Sequence, residues 1–91
     1  MKTALITGAT SGIGEATARL LAANSWRVIG TGRRQERLDK LGDELGADRF
    51  LGLAFDVRDA EARNAAIDGL PEDWAQIDLL VNNAGLAKGL N

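Results

Sequence analysis

Thr3-Ala4-Leu5-Ile6-Thr7-Gly8-Ala9-Thr10-Ser11-Gly12-Ile13-Gly14 decides how the chain folds. A short apolar run bounded by glycine reads as a strand covered on both faces, here Thr3 to Thr7. The glycine turn then leads straight into a segment from Gly12 to about Ala23. There Ile13, Ala16, Leu20 and Leu21 recur at helical spacing and mark the apolar stripe of a helix. Asn24 offers that helix a left-handed stop.

Outward from this unit the alternation repeats. Arg27 to Thr31 reads as a second strand. Gln35 to Leu45 reads as a second helix, with Leu38, Leu41 and Leu45 on one face and Gly46 as its stop. Phe50 to Phe55 is a third strand, and Asp59 can cap a third helix running to about Gly69. Leu70-Pro71-Glu72-Asp73 breaks the pattern before a turn holding Trp74, and Ile77 to Val81 is a fourth strand. A β-α-β-α-β-α-β order demands a parallel sheet with right-handed crossovers, a three-layer α/β fold of Rossmann type. The doubly wound fold has two such halves. Residues 1–91 therefore read as a partial dinucleotide-binding domain, truncated after the fourth strand, with Leu86 to Asn91 as a connection leading onward.

Composition narrows the function. Ninety-one residues make one small domain, and 45% hydrophobic residues with a net charge of −2 suit a globular protein without a field for nucleic acid. Cysteine and histidine are both absent, so zinc or iron would lack its usual ligands. The apolar runs fall far short of the ~20 residues that span a bilayer. The expectation is a cytoplasmic protein with neither nucleic-acid nor membrane partners.

The glycine loop carries the chemistry. Gly8, Gly12 and Gly14 lie between a strand and a helix start, the context that a phosphate-binding turn needs. Glycine allows positive φ and close backbone approach, and the helix N-terminus presents unpaired N–H groups to a pyrophosphate. A tight β-α turn without a ligand is the plainer alternative.

The spacing is Gly-x-x-x-Gly-x-Gly. Thr7 to Gly14 resembles the cofactor motif of the short-chain dehydrogenases/reductases, with Thr10, Ser11 and Ile13 among its positions. Asn82-Asn83-Ala84-Gly85 is similar to that family's second hallmark, and Asp56-Val57 to its adenine-contacting pair. A closer likeness, to bacterial NADP-dependent 3-hydroxy acid dehydrogenases, rests on Thr31 to Leu38 and on Asn82 to Ala87. The resemblance implies that Asn83, Ala84 and Gly85 support the central sheet and border the ribose and nicotinamide side, with Asn83 more structural than contacting. Asp56 could merely cap a turn, but it ends a strand where doubly wound sheets place ligands.

An acidic side chain about 20 residues after the glycine motif would bind the ribose of NAD. This chain has Thr31-Gly32-Arg33-Arg34 there, with no acid. Arg33 and Arg34 can pair instead with the 2′-phosphate of NADP. As a merely solvated face, cations at a helix N-terminus would oppose its dipole, at a cost of roughly 0.3–1 kcal/mol each. NADP is therefore favoured over NAD. The run Arg58-Asp59-Ala60-Glu61-Ala62-Arg63 reads as a solvated helix face, and Trp26 and Trp74 as packing residues.

Hydride transfer to a carbonyl needs a proton donor beside the developing alkoxide. The resemblance implies a tyrosine four residues before a lysine, aided by a serine. The sequence holds no tyrosine, and Lys2, Lys40 and Lys88 sit in no such motif. The expectation is thus the cofactor-binding half of an NADP-dependent oxidoreductase acting on a small hydroxy or carbonyl substrate, itself inactive. It would self-associate or join a C-terminal half. A non-catalytic nucleotide-binding module and a fold-complementing interaction protein are the alternatives.

Overall fold

The computed structural model describes residues 1–56 and 58–83. Its elements alternate as the periodicity predicts: β1 (Thr3–Ile6), α1 (Gly12–Ala23), β2 (Arg27–Gly32), α2 (Gln35–Leu45), β3 (Phe50–Ala54), α3 (Ala60–Asp68), a 3-10 turn (Glu72–Trp74) and β4 (Leu79–Val81). All pairings are parallel, and the strand order is β3-β2-β1-β4. The chain therefore winds outward in one direction through β3, then crosses back past β1 to β4. Ligands of open α/β sheets bind at the carboxyl ends of the strands where the winding reverses. Here that point lies between β1 and β4.

Because side chains alternate along a strand, the sheet builds two cores. Ile6, Val28 and Phe50 face α1 and α2, where they meet Ala18, Leu38 and Leu41. Leu5 and Ile29 face the other way, onto Trp74 with Ile67, Leu70 and Ile77. The three layers are thus helices, sheet, and α3 with its following turn. At the amino end of the sheet, the Arg27 guanidinium sits 4.0 Å from the centre of the Trp74 ring and donates to the Asp73 carbonyl at 3.0 Å. This pins the 3-10 turn under β2, and such a cation–π contact contributes about 0.5–1 kcal/mol.

Three sequence expectations need correction. The buried face of α1 is Gly14, Ala18 and Ala22, while Ile13 and Leu20 are 72% and 64% exposed. Small residues face the sheet because the helix packs close to it, and the larger apolar residues are displaced outward. The left-handed residue after α1 is Ser25 (φ 69°), one position beyond Asn24. Asn24 instead closes the helix through its side-chain amide, which donates to the Leu20 carbonyl at 2.8 Å. β4 begins at Leu79 and not Ile77, since Asp78 precedes the strand with its carboxylate accepting from the Thr3 N–H at 2.9 Å. Elsewhere the expected devices are present. Gly46 leaves α2 with φ 95°, and Asp59 Oδ1 caps α3 by accepting from the Ala62 N–H at 3.1 Å.

Among the described residues no helix is long and apolar enough to cross a membrane. Nor does any group of side chains there form a metal-binding cluster.

Candidate cofactor site at the carboxyl end of the sheet

Gly8 turns the chain out of β1 with φ 67°, a left-handed conformation that favours glycine. Its carbonyl then becomes the hub of the loop. It accepts from the Ser11 N–H at 3.2 Å, the Ser11 hydroxyl at 2.9 Å and Asn83 Nδ2 at 3.1 Å. Asn83 is buried and also donates to Ser11 Oγ at 3.1 Å. Asn83, two positions past β4, therefore clamps the loop following β1. Two backbone bonds tie the same loop sideways, from the Thr7 N–H to the Val81 carbonyl at 3.0 Å and from the Ala9 N–H to the Thr31 carbonyl at 2.9 Å. A loop held to both neighbouring strands is rigid before any ligand arrives.

The two later glycines have opposite surroundings. A Cβ on Gly14 would lie 2.1 Å from the Gly8 carbonyl oxygen, so α1 could not start against the loop with any side chain there. A Cβ on Gly12 would meet nothing within 4 Å and would stand in the open space over the helix start. Ser11 is the N-cap residue, yet its hydroxyl turns back to Gly8 and caps no N–H of the helix. The first-turn donors of α1 thus keep their hydrogen-bonding capacity for an outside acceptor. An uncapped helix N-terminus beneath an open cradle fits a pyrophosphate. Ile13 contributes its place in that first turn, since its side chain points to solvent.

Thr10 lies across the loop beside β2. A Cβ on Gly32 would meet Thr10 Oγ1 at 3.2 Å, so Thr10 stands next to the strand end that carries Arg33 and Arg34. Both arginines are exposed, and Arg34 is the N-cap residue of α2 without a side-chain cap bond. On the adjoining strand end, the Phe55 N–H donates to the Gly32 carbonyl at 2.9 Å, bringing Asp56 alongside Arg33. Arg58 holds the Asp56 carboxyl well below the usual carboxylate range through its side chain and then its backbone N–H, and the charge of Arg33 adds to this.

The fold thus gathers Gly8, Thr10, Ser11, Gly12, Ile13, Gly14, Arg33, Arg34, Asp56 and Asn83 along the carboxyl ends of all four strands. Val57, Ala84 and Gly85 lie outside the described residues. The sequence reading missed Arg58, which it placed on the face of the third helix. Arg58 precedes α3 and engages Asp56 instead. The signal was present as an acid and an arginine two positions apart at a strand end. It also missed the buried Thr31 hydroxyl on β2, which has no hydrogen-bond partner among the described residues.

The family model described as short chain dehydrogenase matches residues 2–91. Serine 3-dehydrogenase of Rhizobium radiobacter is 59% identical over 87 residues, covering 96% of this chain and 34% of that protein. NADP-dependent 3-hydroxy acid dehydrogenase of Salmonella typhi is 52% identical over 86 residues, covering 94% of this chain and 34% of that one. Among solved structures, a closed form of serine dehydrogenase complexed with NADP+ superposes with a TM-score of 0.86 at 47% identity, over 89% of this chain and 32% of that one. The chain spans about a third of the length of these relatives.

Proposed function

The chain belongs to the short-chain dehydrogenase family, and from that premise we propose that residues 1–91 are the cofactor-binding part of an NADP-dependent oxidoreductase. The reaction we propose is hydride exchange between NADP(H) and a small hydroxy or carbonyl substrate of the 3-hydroxy acid type. The reading is supported by relatives named as NADP-dependent and as serine or 3-hydroxy acid dehydrogenases. One observation carries it. The end of β2 presents Arg33 and Arg34, with Thr10 beside it and no acidic side chain at Gly32, Arg33 or Arg34.

Each residue then has a task. The first-turn N–H groups of α1, over Gly12, take the pyrophosphate. Arg33 and Arg34 pair with the 2′-phosphate, and Asp56 accepts from the adenine amino group. Asn83 holds the loop and touches no ligand. The bound dinucleotide supplies the hydride. The chain itself binds and orients, and a proton donor for the substrate oxygen is not among its described residues, which hold no tyrosine or histidine.

Replacing Arg33 with Asp and Arg34 with Ala tests this. Charge-assisted bonds contribute about 1.5–3 kcal/mol each where water is excluded, so the loss expected at these exposed arginines is about 10- to 100-fold in NADPH affinity, with NADH affinity held or improved. Unchanged NADPH binding by titration calorimetry would overturn the assignment.

The exposed apolar side chains of Leu79 and Leu80 on β4 support a second element of the proposal. That sheet edge is where further sequence, or a second copy of the chain, adds to the fold.

A further inference from the structure

Four contacts from a single residue converge on the Asp56 carboxylate. The Arg58 backbone N–H donates to Oδ1 at 3.0 Å and its Nε to Oδ1 at 3.1 Å. Nε also approaches Oδ2 at 3.3 Å, and Nη2 donates to Oδ2 at 2.8 Å. A carboxylate offers about four acceptor directions. The backbone bond and the two prongs of the guanidinium use three of them and leave an acceptor direction on Oδ2. The planar fork also fixes the plane of the carboxylate, whose terminal torsion is otherwise broad.

As a stabilising ion pair this arrangement has little value, because the Arg58 side chain is 62% exposed and such pairs contribute almost nothing. Nor does Arg58 serve the third helix, which starts at Ala60 and is capped by Asp59. Its effect is orientation. We propose that Arg58 is a positioning residue that sets the Asp56 carboxylate to accept the exocyclic amino group of the cofactor's adenine, a role that rests on the assignment of Asp56 given above. The base is thereby selected at a site separate from the 2′-phosphate, which Arg33 and Arg34 read.

The test uses the protein as its complete reading frame encodes it, with NADPH, NADH and the hypoxanthine analogue of NADPH as probes. That analogue carries a 6-oxo group in place of the amino group and meets the carboxylate with an acceptor. The native protein is expected to prefer NADPH over the analogue by about tenfold, the scale of one partly exposed bond to a charged group. Arg58→Ala should reduce this preference to twofold or less while the NADPH-to-NADH preference stays at its native value. Arg58→Lys, which keeps the charge and loses the fork, should behave as the alanine variant does. With Asn at position 56, Arg58→Ala should change nothing further. Retention of the native purine preference in Arg58→Ala overturns the inference, as does an equal fall in both preferences. Failure of the native protein to bind NADPH at all overturns the cofactor assignment itself.

Discussion

A methyl group added at Gly14 would lie 2.1 Å from the Gly8 carbonyl oxygen and 2.8 Å from Asn83 Nδ2, whereas one added at Gly12 would meet nothing within 4 Å. The same substitution therefore separates two tasks that the glycine motif combines. Gly14→Ala forces α1 off the loop and is expected to destabilise by about 1–3 kcal/mol, the usual cost of overpacking. Gly12→Ala should leave stability unchanged or raise it by up to about 1 kcal/mol, because alanine is the better helix former. It should nevertheless cost NADPH at least tenfold in affinity, since the methyl group occupies the cradle over the uncapped donors. Urea midpoints and a binding titration on both variants check this. Equal loss of stability in the two would refute the division of labour. The motif was legible in the sequence because turn chemistry is local. Asn83 as the clamp on Gly8 was not, since its partners lie 75 and 72 positions away.

Asp56 and Arg58 also carry a pH dependence at this scale. The folded carboxyl titrates below its unfolded value, about 3.9, through the Arg58 side chain and then the Arg58 backbone N–H. A group depressed in this way adds stability that is present above the unfolded value and fades as pH falls toward the folded one. The contribution is small because the pair is exposed and screened by salt. Carbon-detected NMR should find Asp56 still ionised where ordinary carboxyls are half protonated. Arg58→Ala should bring its midpoint back toward 4; an unmoved midpoint would assign the depression to another neighbour.

At the scale of elements, the helices show where periodicity suffices and where it misleads. In α2 the apolar stripe Leu38, Leu41 and Leu45 is the stripe that packs, with Leu38 and Leu41 buried and Leu45 partly so. In α1 the larger apolar residues suggest one face, yet Ala18, fully buried, marks another. Spacing alone could not distinguish them, because Gly14, Ala18 and Ala22 repeat at helical intervals as well. What decides is distance, as Gly14 in the first turn of α1 lies so close to the Gly8 carbonyl after β1 that no side chain fits between them. Ala18→Leu should therefore destabilise by about 1–3 kcal/mol, while Leu20→Gln should fall within about 0.5 kcal/mol of the parent chain. Denaturant midpoints decide the matter, and the reverse order would restore the face that the sequence suggested.

At the scale of the whole molecule, the strand order and the two cores follow from an alternation that the sequence displays openly. The β4 edge follows from what surrounds it. Leu5 and Ile29 are covered by Trp74 with Ile67 of α3, Leu70 and Ile77, but Leu80, which aligns with Leu5 in the register, is 61% exposed. Among the described residues β4 has β1 on one side and no strand on the other. An edge with unpaired backbone groups and apolar side chains is a template for pairing with another strand. Isolated as residues 1–91, the chain should accordingly sediment as a concentration-dependent mixture of monomer and larger species. Leu80→Lys places a charge on that edge and should shift the mixture toward monomer, whereas Arg33→Asp with Arg34→Ala, beyond β2 and two strands away, should not. A parent chain that stays monomeric across the micromolar range would show that the β4 edge is already protected. The apolar side chains of Leu79 and Leu80 would then have to be covered from within the same chain.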